Sequence, residues 1–146
     1  MSKTKVLLAT DGSPASLRAA QFVGDMARKD PEMTVTLLHV AHIPRELTTW
    51  AGIEYQVDVP LDAMIQRSAQ PIVEGTREAL GLEVDRVSAE VQVGVPAEEI
   101  VEMANSEGFD LIVMGSRGLS PIAELLLGSV SERVIRISKC PVLIVK

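Results

Sequence analysis

Five short apolar runs punctuate this chain, and the stretches between them carry apolar residues at helical rather than alternating spacing. The runs are Val6 to Ala9, Val35 to Val40, Val87 to Val93, Leu111 to Met114 and Val142 to Val145. Each has strand length, and a near-continuous apolar strand is typical of a sheet covered on both faces. Between the first two runs, Ala15, Ala19, Phe22, Val23 and Met26 recur at three and four residues, predicting a helix that starts behind Ser13 and Pro14. Pro96 to Asn105 repeats the pattern with Ala97, Ile100, Val101 and Ala104, and Gly108 suits its exit. Ser129 to Ser138 offers Val130, Val134 and Ile137 as a buried stripe and leaves Glu132, Arg133 and Arg136 for solvent. A longer pattern from Leu61 to Leu80 puts Leu61, Met64, Ile65, Ser68, Ile72 and Ala79 on one side. Pro71 lies inside it and predicts a kink or a break just before it, because proline removes a backbone donor and crowds the preceding turn.

Strands alternating with helices imply parallel strands joined by right-handed crossovers. The expected class is therefore α/β: a single-domain, Rossmann-like three-layer sandwich with a five-stranded parallel sheet and helices on both faces, spanning residues 1–146. The chain can support it, since 47% of its 146 residues are apolar and 23% charged, enough to bury a core without disulfides or a structural metal. Its one cysteine, Cys140, sits in the apolar Cys140-Pro141-Val142-Leu143-Ile144 stretch and reads as a small core residue.

Charge and aromatic content exclude whole classes of partner. Fourteen basic against twenty acidic residues give a net charge of −6, so the basic face that neutralises nucleic-acid phosphates is missing. Aromatics are 3%, too few for base-stacking platforms. The apolar run after the N-terminal lysines is too short for a signal-peptide core or a membrane span, which predicts a soluble, cytoplasmic protein. Ala41 to Pro60, which holds Trp50 and Tyr55, has no clear period and predicts a lid or rim segment.

In folds of this class ligands bind beyond the carboxyl ends of the strands, where strand order reverses. The strand exits read Thr10-Asp11-Gly12-Ser13, Val40-Ala41-His42, Gly94-Val95-Pro96 and Gly115-Ser116-Arg117-Gly118. After nine intervening residues Gly118 is followed by Gly128 and Ser129, directly before a predicted helix. Glycines admit close approach of backbone to an anion, and a helix N-terminus offers unpaired amides and a positive dipole end. Together they predict a phosphate cradle, to which Ser116, Ser129 and Ser131 could add hydroxyl donors and Arg117 a rim charge. Each part also has a plainer reading: Gly115 and Gly118 as a tight turn, Gly128-Ser129 as an ordinary helix start, Asp11 as a turn or capping residue. An Asp11 carboxylate beside phosphates is tolerable if it faces a ribose hydroxyl or shares a divalent cation with them. No Walker A, dinucleotide or nucleophile-elbow pattern occurs, and His39 and His42 lack neighbours at metal-ligand spacing. His39 reads as structural and His42 as solvated or at the rim.

With these residues in place the chain resembles a universal stress protein over essentially its whole length. The matching stretches are Leu7 to Ser13, His39-Val40, Gly94 to Ala97, Asp110 to Gly118 and Cys140 to Val145. The specific feature is G-x(2)-G-x(9)-G-S, complete here as Gly115, Gly118, Gly128 and Ser129, which in that family marks the members that bind ATP. The resemblance implies that Asp11, beside Thr10, contacts the ribose or adenine side and that Val40 meets adenine through its backbone. Met114 and Gly115 would lie beneath the ribose, with Arg117 at the rim and Gly118, Gly128, Ser129, Val130 and Ser131 around the phosphates. It also implies a homodimer through the edge strand Val142 to Val145, whose flat apolar edge would otherwise be a liability. Pro121, between the motif's glycines, departs from the pattern. The expected function is an ATP-binding stress-response module, with AMP, a cyclic nucleotide and accompanying Mg2+ left open. A slow ATP hydrolase and a nucleotide-independent interaction protein are the alternatives.

Overall fold

The computed structural model describes residues 3–42, 61–117 and 127–146. The predicted lid around Trp50 and Tyr55, together with Gly118 and Pro121, lies outside the described residues. The elements run β1 (Lys5–Ala9), α1 (Pro14–Lys29), β2 (Thr34–His42), α2 (Leu61–Leu80), a short 3-10 turn (Val84–Arg86), β3 (Val87–Gly94), α3 (Pro96–Ser106), β4 (Leu111–Gly115), α4 (Ser129–Ile137) and β5 (Val142–Val145). All five apolar runs are strands. β2 continues two residues past the predicted end, through His42, because Ala41 and His42 pair with Val93 and Gly94 of β3.

The sheet is wholly parallel in the order β3-β2-β1-β4-β5. The chain starts in the middle, moves outward to β3, then returns past β1 to β4. Crossovers of one hand put their helices on opposite faces when the direction of travel reverses. Accordingly Val6, Leu8, Val35 and Leu37 pack against Ala19, Val23, Ala27 and Leu80 of α1 and α2. Their alternates Leu7, Leu38, Ile112 and Met114 pack against Ala97, Ile100 and Val134 of α3 and α4. Burial of β1 and β4 on both faces is why they read as continuous apolar runs, whereas β3, at the sheet edge, alternates apolar with polar residues.

Two helical faces differ from the periodicity. On α1 the buried stripe is Ala15, Ser16, Ala19, Ala20, Val23, Gly24 and Ala27, whereas Phe22 is 45% exposed. On α2, Met64 and Ser68 face solvent, and the helix is seated through Ala69, Thr76 and Leu80 with Ile72 and Val73 half-buried. Both interfaces use small residues that permit close helix approach, and hydropathy undervalues them. The predicted break before Pro71 does not occur: α2 is one helix from Leu61 to Leu80. Proline costs one backbone bond there, while the exposed side chain leaves the packed face intact. The other helices follow expectation, with α3 buried through Ala97, Ile100, Val101 and Ala104, and Gly108 at its exit in the left-handed region at φ +69°. Cys140 is half-buried against the α3–α4 side of the core. Among the described residues no helix is long and apolar enough to cross a membrane.

Candidate functional site

The reversal of strand order falls between β1 and β4, which pair directly through Val6, Leu7 and Leu8 with Leu111, Ile112 and Val113. At their carboxyl ends opens a cavity of about 320 Å³. Thr10, Asp11, Val40, Met114, Gly115, Arg117, Gly128, Ser129, Val130 and Ser131 all line it, so the site residues picked out in the sequence converge on one place. Ser116 does not line it: its amide donates to the Val145 carbonyl and its own carbonyl accepts from the Gly128 amide.

The β1 exit is built from two consecutive side-chain turns. The Gly12 amide donates to Thr10 Oγ1 at 3.3 Å, and the Ser13 amide donates to Asp11 Oδ1 at 2.9 Å. Gly12 between them has φ +79°, a conformation that costs glycine little. Asp11 is thus both the turn residue of its plainer reading and a wall of the cavity. His39 holds the same segment from β2, its Nδ1 bonded to the Thr10 carbonyl at 2.9 Å, in keeping with a structural histidine. His42 lines the cavity at its exposed rim.

The β4 exit is packed from behind. A Cβ added to Gly115 would lie 2.6 Å from the Ala15 carbonyl carbon and 2.8 Å from the Ser16 nitrogen. Gly115 therefore lets α1 approach the sheet, and its missing side chain makes room for the protein's own backbone. Ser131 is buried and donates its hydroxyl proton to the Gly115 carbonyl at 2.8 Å. That hydroxyl clasps α4 to β4 and is not a free donor toward the cavity, contrary to the expectation from sequence.

Three helices begin along this end of the sheet, and they are finished differently. α1 is capped by Ser13, whose Oγ accepts from the Ser16 amide at 3.2 Å. α3 starts at Pro96, which has no amide proton, and carries Glu98 and Glu99 in its first turn. α4 starts behind Gly128, which has no side chain to cap it. Among the described residues nothing accepts from the Ser129, Val130 or Ser131 amides, and all three residues line the cavity. Uncapped amides and the positive end of the helix make this the anion-seeking wall. The walls from β2 and α3 are apolar, formed by Leu38, Val40, Pro96 and Ile100, with Met114 and Leu127 completing the surface. Sequence reasoning passed over Leu38, Ile100 and Leu127 because an apolar lining residue looks like core; their place at strand exits and helix starts was the available signal. Among the described residues Asp11 is the one carboxylate on the lining, and no group of three potential metal ligands exists.

The universal stress protein family matches residues 3–146. This chain belongs to that family. A Bacillus subtilis universal stress protein, YxiE, is 35% identical over 149 aligned positions, covering 97% of this chain and 98% of the relative. Among solved structures, the Methanocaldococcus jannaschii protein MJ0577 superposes with a TM-score of 0.77 at 34% identity, covering 100% of this chain and 97% of the other. A universal stress protein solved in complex with cAMP superposes with a TM-score of 0.65 at 29% identity, covering 100% of this chain and 98% of the other.

Proposed function

We propose that this universal stress protein is an adenine-nucleotide-binding module, with ATP as its principal ligand, acting in the stress response through its bound state. The observation that carries the reading is the uncapped start of α4, whose three amides sit on the wall of a cavity that is otherwise largely apolar. A nucleotide has the matching polarity, a flat base for the slot of Leu38, Val40, Pro96 and Ile100 and an anion for the Ser129, Val130 and Ser131 amides. The cAMP complex of the relative supports an adenine nucleotide as the ligand class.

In this reading Asp11 and Thr10 face the ribose, Val40 the adenine edge, and Met114 and Gly115 lie beneath the ribose. Gly118 and Gly128 give the phosphates room, Arg117 adds charge at the rim, and Ser131 contributes its amide alone. Mg2+ fits as a companion of the phosphates, since among the described residues Asp11 is the single carboxylate on the lining and its Oδ1 already accepts from Ser13. The same reading places the protein in the cytoplasm as one domain, and as a homodimer through the half-buried edge strand Val142–Val145. Sedimentation at micromolar concentration tests the dimer, with a monomeric mass as the contrary result.

The deciding experiment is to denature the purified protein, identify any released small molecule by mass, and titrate ATP, AMP and cAMP with magnesium into the stripped protein. Recovered ATP or micromolar binding supports the module. An empty protein that binds none of them defeats it and turns attention to protein partners.

A further inference from the structure

A run of buried hydroxyls starts on the cavity wall, at Thr10 and Ser16, and reaches a helix that does not line it. Thr10, Ser13, Ser16 and Thr76 are each buried, and Thr76, on α2, is fully so. Thr76 Oγ1 donates to the Ile72 carbonyl at 2.7 Å and lies 2.8 Å from Thr10 Oγ1. A hydroxyl has one proton. The short contact pairs the Thr10 and Thr76 hydroxyls, with either oxygen able to serve as the donor. Ser16 donates to the Ser13 carbonyl at 2.9 Å, so its 3.2 Å contact with Thr10 is the weaker claim on the Thr10 proton. One lone pair of Thr10 takes the Gly12 amide. The Ser13 hydroxyl lies 3.3 Å from the Arg117 carbonyl on the far side of the site.

The paired hydroxyls therefore tie the β1 exit to α2, outside the cavity. Thr76 orients the Thr10 hydroxyl, that hydroxyl closes the turn over Gly12, and the turn holds Asp11 against the cavity. We infer that Thr76 is a positioning residue for the ligand site, setting the presentation of Thr10 and Asp11 without touching ligand. The inference rests on the adenine-nucleotide reading and extends it to α2, the helix that follows residues 43–60. Without the Thr76 hydroxyl, Thr10 keeps only its longer 3.2 Å side-chain contact with Ser16, which loosens the turn.

The test is calorimetric titration of AMP and ATP into the wild type, Thr76→Val and Thr76→Ser, with each variant's fold checked by circular dichroism. Loss of one net hydrogen bond's worth of order predicts AMP binding about tenfold weaker in Thr76→Val. Thr76→Ser restores it, and the ratio of ATP to AMP affinity stays that of the wild type, because the phosphate wall is built by α4. Unchanged AMP affinity in Thr76→Val overturns the inference, and so does failure of Thr76→Ser to restore it or a changed ATP to AMP ratio. If Thr76→Val does not fold, Thr76→Cys keeps the volume with a weak sulfur partner and is expected to give the same pattern at reduced size. A wild type that binds no adenine nucleotide defeats the functional reading itself, and this inference with it. A binding wild type beside an equally binding Thr76→Val defeats this inference alone.

Discussion

The N-termini of α1 and α4 occupy matching places after β1 and β4, on either side of the strand-order reversal, yet one is closed and the other open. Ser13 spends its side chain on the α1 start, accepting from Ser16, and packs that turn against the β4 exit. Gly128 has nothing to spend on α4. A cap stabilises a helix by about 1 kcal/mol, so leaving α4 bare costs stability that a bound anion can return. On the proposed reading, the same fold uses one helix start to build the wall and the other to meet the ligand.

The contrast is broken most severely at Gly115. A methyl group there would press into the Ala15 carbonyl and the Ser16 amide, and Gly115→Ala is expected to cost about 3 kcal/mol or more of stability, read by urea denaturation. A stability loss below about 1 kcal/mol would contradict the tight α1 contact. Gly128→Asp closes α4 the way α1 is closed. Its extended backbone, at φ −69° and ψ 160°, accepts a capping residue, so the ligand-free protein should gain roughly 0.5 kcal/mol. ATP affinity should fall about a hundredfold as a carboxylate takes the amides and repels phosphate, equivalent to about 2.7 kcal/mol by titration. Retained ATP binding in that variant would move the phosphates away from α4. Ser13→Ala opens α1 instead and should lose about 1 kcal/mol in a melting experiment, with no new anion site gained, because Gly115 and the hydroxyl run still fill the space. The smallest effect belongs to Arg117→Gln. This exposed rim charge should weaken ATP about threefold at low salt and less at high salt, as expected for a screened interaction, while AMP changes little.

How far the sequence exposes this arrangement depends on what each residue is doing. The strands were legible because burial on both sides demands uninterrupted apolar residues, as in Leu7 and Leu8, which serve opposite faces of the sheet. Helix existence was legible too, but not helix orientation. Phe22 and Met64 drew attention as large apolar residues, whereas the seats of α1 and α2 are made by Ala19, Ala20, Gly24, Ala69 and Thr76. At the site, the glycine and hydroxyl motif pointed to segments that meet at one cavity, since backbone approach and turn chemistry leave residue-level marks. What it could not supply was the direction of each bond. Ser116 and Ser131 looked like equal donors, yet Ser116 does not line the cavity and the Ser131 proton belongs to the Gly115 carbonyl. Thr76, far from the motif, left no mark beyond a threonine in an apolar stripe.

Gly115 and Gly128 stand in one motif and answer to different constraints. If a descendant of this protein ceased to need its ligand, Gly128 would be free to drift, and substitution by a capping residue would even be favoured for stability. Gly115 would stay, held by the Ala15 backbone behind it. In a pedigree of such chains the first glycine records descent and the later one records use, so a motif count that weighs them equally mistakes inheritance for activity.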